Sequence, residues 1–158
     1  MLDVLIACEF NSGRSQIACT YLNEYGSNYF SAECGGLDPR PIHPLVVLAM
    51  REEGYRIDDI SDSYSVYDLI KLNRQYDIVI SVCSKEADRL FPLFPGNCFR
   101  INWPHDNPAQ VAGGRLERLQ EFRNTRDRIK NDVLEFIRGY EKKSTEMFSW
   151  LPDSCIQK

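Results

Sequence analysis

The chain has 158 residues, a net charge of −4 and a pI near 5.2. That balance excludes a broad basic surface, so no nucleic-acid partner is expected. No apolar run approaches the ~20 residues that span a bilayer, so no membrane partner is expected either.

One domain is expected at this length, large enough to bury a core without staples. The first residues enter a strand directly, with no signal peptide, and a cytoplasmic protein is expected. Six cysteines in such a compartment (Cys8, Cys19, Cys34, Cys83, Cys98 and Cys155) suggest thiol chemistry rather than a disulfide scaffold. They form no CxxC pair and no Cys/His cluster with ligand spacing, so no metal is expected.

The first strand is the apolar run Val4–Ala7, which stops at Cys8. Glu9, Phe10, Asn11, Ser12, Gly13 and Arg14 follow as a tight loop, and a helix is expected from about Ser15 to Tyr25, ended by Gly26. Such a loop points backbone N–H groups inward, and the helix behind it adds its positive dipole end. Together they form a cradle for a tetrahedral oxyanion. Cys8 at its base is expected to have a lowered thiol pKa and to act as a nucleophile. Arg14 is expected to hold two oxygens with its planar fork, and Ser15 to donate to the thiolate. Asn11 and Gly13 both tolerate the positive φ that a tight loop uses. The bland alternative is a buried strand-end cysteine beside a surface arginine.

Residues 28–32 read as a second strand closed by Gly35-Gly36, and Cys19 as a surface or rim residue. A Pro-rich loop leads to a helix opened by His43-Pro44 and ended by Gly54, with His43 as its cap rather than a base. A short helix is expected over Val66 to Leu72. Tyr76–Val82 is the third strand, apolar as a central parallel strand should be, with Cys83 at its end. Phe91 and Phe94 are expected in an exposed loop or lid. Cys98–Trp103 is the fourth strand, and a polar loop through His105, Asp106 and Asn107 follows. A long amphipathic helix carries Leu116, Leu119, Phe122, Ile129, Val133, Phe136, Ile137 and Tyr140 on one stripe.

This alternation implies an α/β fold: a four-stranded parallel sheet flanked by helices on both faces. Residues 1–142 are expected to form one catalytic domain, with 143–158 as a C-terminal tail. Ligands bind beyond the carboxyl ends of such strands, which gathers Cys8, Cys83 and the Asp106 loop on one rim.

Cys8-x5-Arg14-Ser15 after an N-terminal strand resembles the phosphate loop of low-molecular-weight protein tyrosine phosphatases, a fold shared with thiol-dependent arsenate reductases. The resemblance runs in order over about residues 2–140, through the strand into Cys83 and Trp103 ahead of Asn107-Pro108-Ala109. Gln16 replaces the usual phosphatase proline, Cys83 matches the reductases' second redox cysteine, and Ala109 replaces the aromatic that packs on phosphotyrosine. These details place it nearest the reductases. The resemblance implies that Cys8 attacks arsenate, that Cys83 releases arsenite by disulfide formation, and that an external thiol resets the pair. Thioredoxin, glutaredoxin or a low-molecular-weight thiol would fill that role, and no bound cofactor is implied.

The departures are specific. The family's general-acid Asp is Asn107 here, leaving Asp106 as the candidate acid. A third redox cysteine is missing at Leu90, leaving Cys98 as the candidate. Cys19 and Val66 stand where some reductases carry acidic potassium ligands. A phosphatase acting on phosphomonoesters, with Phe10, Phe91 and Phe94 as apolar walls, is the alternative function. A binding or redox-sensing module without turnover is the third.

Overall fold

The computed structural model describes residues 1–59 and 64–142; the expected tail, 143–158, and Cys155 lie outside them. Four strands, β1 (Leu2–Cys8), β2 (Phe30–Gly36), β3 (Ile78–Ser81) and β4 (Phe99–Asn102), form one parallel sheet in the order β2-β1-β3-β4. The apolar runs explain the central positions. β1 from Val4 to Cys8 and all of β3 are buried, as strands covered on both faces must be.

Five α-helices connect and cover the sheet: α1 (Arg14–Tyr25), α2 (Pro44–Glu52), α3 (Val66–Lys71), α4 (Lys85–Asp88) and α5 (Arg115–Glu141). The path steps from β1 to β2 in one direction and from β2 to β3 in the other. With right-handed crossovers, this reversal puts α1 on one face and α3 and α4 on the opposite one. α5 returns to pack along α1. There Phe136 meets Phe30 and Trp103 at ring-centroid distances of 5.0 and 5.7 Å.

Local chemistry sets the boundaries. Gly26 N–H closes α1 on Leu22 O, Pro44 occupies the first turn of α2, and Ser65 and Ser84 cap α3 and α4. His43 caps α2 as expected: its Nδ1 accepts from Leu45 N at 3.1 Å.

Several expectations are corrected. β2 starts at Phe30, because residues 27–29 form a turn in which Gly26 O accepts from Tyr29 and Phe30 N–H. It continues through Gly36, paired residue by residue with β1. β3 and β4 are shorter than their apolar runs. Helix α4 follows Cys83 directly, where Ser84 supplies the cap. Phe91 and Phe94 are not an exposed lid: both are buried, with the Arg100 guanidinium 5.9 and 5.6 Å from their ring centres, while Leu93 faces out. Leu116, in the first turn of α5, is 79% exposed rather than on the buried stripe.

Candidate active site

Cys8 ends β1 and is buried, and residues 9–13 loop from it into α1. The loop's carbonyls are committed outward. Those of Cys8, Glu9, Phe10 and Ser12 accept from the N–H groups of Leu37, Asp38, Arg40 and His43 at 2.8–3.3 Å. A trans peptide points its N–H opposite to its carbonyl, so the amides of Glu9, Phe10, Asn11 and Gly13 face the concave side. α1 has no side-chain cap and no acidic residue in its first turn, so its positive end stays open to an anion. Asn11 carries the positive φ, at 49°; Gly13, expected to share it, has φ −156°. A Cβ at 13 would lie 3.1 Å from Val46 Cγ2, a tight contact that the valine would have to yield to by a few tenths of an ångström.

The Cys8 sulfur accepts from Asn11 N at 3.2 Å and lies 3.0 Å from Ser15 Oγ. Ser15 Oγ also lies 2.7 Å from Asn11 Oδ1, to which it donates. A hydroxyl has one proton. While Ser15 donates to Asn11, Cys8 is the donor in its contact with Ser15 and is a thiol. When the hydroxyl turns to sulfur, it serves a thiolate. Gln16 Nε2 donates to Asn11 O at 3.0 Å and holds the loop from behind.

Arg14 is 4% exposed, with Nη1 donating to His105 O at 2.7 Å and Nη2 lying 3.7 Å from Glu9 Oε1. His105 is itself fixed by Asp132, whose Oδ2 is 2.6 Å from its Nε2. The guanidinium therefore bridges the anion loop and the loop after β4.

Cys83 is buried at the end of β3, as expected, and shares the electrostatic environment of Arg14, Cys8 and Glu9. Burial pushes its thiol up to about 12; Arg14 opposes that shift, while the charges of Cys8, Glu9 and Asp88 add to it. Its carbonyl accepts from Asn102 Nδ2 at 3.0 Å. Cys98 is not brought to this cluster. It precedes β4 at the amino rim, and β4's four residues alone rise about 13 Å along the strand.

Asp106 is not brought to Cys8 either. Its exposed side chain borders a separate cleft with Ser84, Lys85 and Arg128. Asn107, Pro108 and Ala109 line the cleft over Cys8, together with Phe10, Arg14 and His43. Asn107 Oδ1 accepts from Ala109 N at 3.0 Å and caps the 3-10 turn Pro108–Gln110, which turns it inward and its neighbour outward. The cleft is narrow, about 20 Å³, room for the centre of one water-sized group.

A buried cysteine backed by inward amides, an arginine fork and a second buried thiol is a site for thiol attack on a small oxyanion. The comparisons with known proteins point to the same chemistry. An arsenate reductase of Shouchella clausii is 33% identical over 133 residues, 84% of this chain and 93% of that protein. The chain belongs to the arsenate reductase family built on the low-molecular-weight phosphatase fold. A Bacillus subtilis arsenate reductase is 31% identical over the same share of this chain. A solved arsenate reductase in its oxidized state superposes on the chain with a TM-score of 0.72 at 25% identity, covering 87% of this chain and 98% of that one. The thioredoxin-dependent arsenate reductase of Corynebacterium glutamicum shares the fold, with a TM-score of 0.58 at 24% identity over 85% of this chain and 62% of that one. No family profile matches the chain. Among the described residues no helix is long and apolar enough to cross a membrane.

Sequence reasoning missed four contacts of this arsenate reductase's site: the 37–43 brace, the hold of Gln16 on the Asn11 carbonyl, the His105–Asp132 anchor, and the close approach of Gly36 to the loop. Only the last left a local signal, a Gly-Gly pair ending a strand, which marks close backbone approach. A Cβ on Gly36 would lie 2.8 Å from Asn11 N.

Proposed function

We propose that this chain reduces arsenate with Cys8 as nucleophile and Cys83 as resolving thiol. The Cys8 sulfur attacks arsenic and one oxygen leaves as water, while Arg14 and the amides of the 9–13 loop hold the remaining oxygens. Cys83 then attacks the Cys8 sulfur. The sulfur–arsenic bonding pair passes to arsenic, which departs as arsenite, and a Cys8–Cys83 disulfide remains. The two thiols supply the two electrons and the two protons that balance the step. An external dithiol carrier reopens the disulfide by exchange; thioredoxin, named for the Corynebacterium relative, is the expected class.

The observation that carries this reading is the second buried thiol, which follows the Ser81 end of β3 where that strand pairs with Ala7, next to Cys8. A phosphatase has no use for it. Burial keeps Cys83 protonated, so the first attack falls to Cys8 and Cys83 acts once the adduct has formed. One feature counts against the phosphatase alternative: the side chain lining the cleft is Asn107, which cannot protonate a leaving aryl oxide.

The test incubates the reduced protein with arsenate, and separately with an aryl phosphate, followed by assay of arsenite and phosphate and by peptide mass mapping. Arsenite together with a Cys8–Cys83 disulfide is expected. Phosphate release without arsenite would overturn the reading in favour of phosphatase chemistry.

A further inference from the structure

The hydrogen bond that makes His43 a cap also decides what its other nitrogen can do. Nδ1 accepts from Leu45 N at 3.1 Å. A backbone amide only donates, so Nδ1 carries no proton. The imidazole is then neutral, and its one proton sits on Nε2. Burial and the Arg118 guanidinium also hold the ring below the usual histidine range, which keeps it neutral. A protonated Nε2 cannot act as a base. It can donate a hydrogen bond, and among the described residues no acceptor reaches it.

His43 lines the cleft over Cys8. Its main-chain N–H donates to Ser12 O at 2.9 Å, which ties it to the anion loop. Its ring lies against that of Phe122, with centroids 4.7 Å apart and planes 28° apart. The bond at Nδ1 sets the remaining rotation. Capping alone calls for a short side-chain acceptor, commonly Asn, Asp, Ser or Thr. Histidine adds a second nitrogen with a directed proton. Thiol attack in line with the departing oxygen leaves three oxygens of a tetrahedral anion around Cys8, on the loop amides and Arg14. The fourth faces away, towards the outer wall of the cleft. No carboxylate lines this cleft, so the wall offers that oxygen no acid.

We propose that His43 Nε2–H donates a hydrogen bond to this fourth oxygen, the one that leaves when Cys8 attacks. The inference rests on the reductase reading above. In that step the sulfur–arsenic bond forms and an arsenic–oxygen bond breaks, with its electron pair passing to oxygen. The thiol proton of Cys8 completes the departing water. His43 keeps its own proton throughout. Its hydrogen bond strengthens as charge gathers on the departing oxygen, and a fixed neutral donor speeds the step in that way.

The test compares His43→Asn with His43→Gln in the full, reduced chain. The Asn side-chain oxygen can replace Nδ1 as the cap, but Asn does not reach the Nε2 position. Gln places an N–H near that position and leaves α2 without its cap. Protection of Cys8 from alkylation by inorganic phosphate reports anion binding, and thermal unfolding reports the cap. His43→Asn is expected to hold its Tm and to bind phosphate roughly tenfold more weakly, as for loss of one hydrogen bond to a charged group. His43→Gln is expected to melt lower and yet to bind phosphate more tightly than His43→Asn. Phosphate affinity that follows Tm instead would leave His43 a cap alone and overturn the proposal. In the wild-type chain with nitrogen-15 histidine, the Nε2 resonance is expected to move on addition of phosphate while Nδ1 stays. An Nε2 resonance that stays in place would also overturn it. With arsenate, His43→Asn is expected to lower kcat by roughly tenfold, and an unchanged kcat would overturn the role at the leaving oxygen. The phosphate measurements need no arsenate, so their failure is separate from failure of the reductase chemistry.

Discussion

Arg14 Nη1 donates to the main-chain oxygen of His105 across 91 residues of sequence, at 2.7 Å. The bond turns the loop after β4 into a wall of the anion site and fixes one edge of the guanidinium. His105 can play this part because Asp132, on α5, holds its ring at 2.6 Å. Asp132→Asn is expected to weaken binding of inorganic phosphate roughly tenfold, the usual scale for a supporting hydrogen bond to a charged group. Protection of Cys8 from alkylation by phosphate measures it. Protection equal to wild type would show that Arg14 needs no anchor.

The inward turn of Asn107 and outward turn of Asp106 make opposite demands on two conservative substitutions. Asp106→Asn is expected to leave arsenate turnover within about twofold of wild type, because the carboxyl borders another cleft. Asn107→Asp is expected to raise hydrolysis of an aryl phosphate by roughly a hundredfold, the scale of a placed acid. Steady-state rates on both substrates decide it. A large loss in Asp106→Asn would restore Asp106 as the acid.

Gly36 ends β2 directly against the loop. Gly36→Ala would place a Cβ 2.8 Å from Asn11 N and 3.0 Å from Phe10 C, both backbone atoms that cannot yield as a side-chain tip can. The expected cost is about 1–3 kcal/mol of stability, as for overpacking, with anion protection of Cys8 lost while the fold is kept. Chemical denaturation and the alkylation assay report the two effects separately.

Cys83 carries a pH signature. Its thiol is raised from an ordinary 9.0 to about 12 by burial. Between those values the unfolded chain gives up this proton and the folded chain keeps it. The folded state then binds more protons, and stability falls as pH rises. One such group contributes at most ~1.4 kcal/mol per pH unit over that window. Buried Tyr21 and Tyr76 are also shifted up by desolvation and add the same sign. The comparison is therefore between wild type and Cys83→Ala: the variant is expected to lose less stability from pH 9 upward. Parallel curves would show that Cys83 is not held as a buried thiol.

The strand–loop–helix around Cys8 was legible from sequence because its signals are local. An apolar run ends at Cys8, Asn11 supplies a positive φ, and a helical stripe starts behind Arg14. The parallel sheet followed from the same kind of signal, strand and helix periods in alternation. Periodicity says which element a residue joins, and for regular elements that also says which way it points. Irregular segments lack such a rule. Whether Asp106 or Asn107 faces Cys8 depends on which of them caps the turn at Pro108, and whether Phe91 and Phe94 are exposed depends on Arg100 reaching over them. The outward carbonyls of the anion loop depend on a segment, Leu37 to His43, that carries no motif. Cys98 sits one strand length from Cys83 because parallel pairing puts the start and the end of β4 on opposite rims. The brace and the two rims rest on backbone pairing between residues far apart in the chain, and the turn and the two rings on contacts within irregular segments that no period announces, so only the tertiary structure decides them.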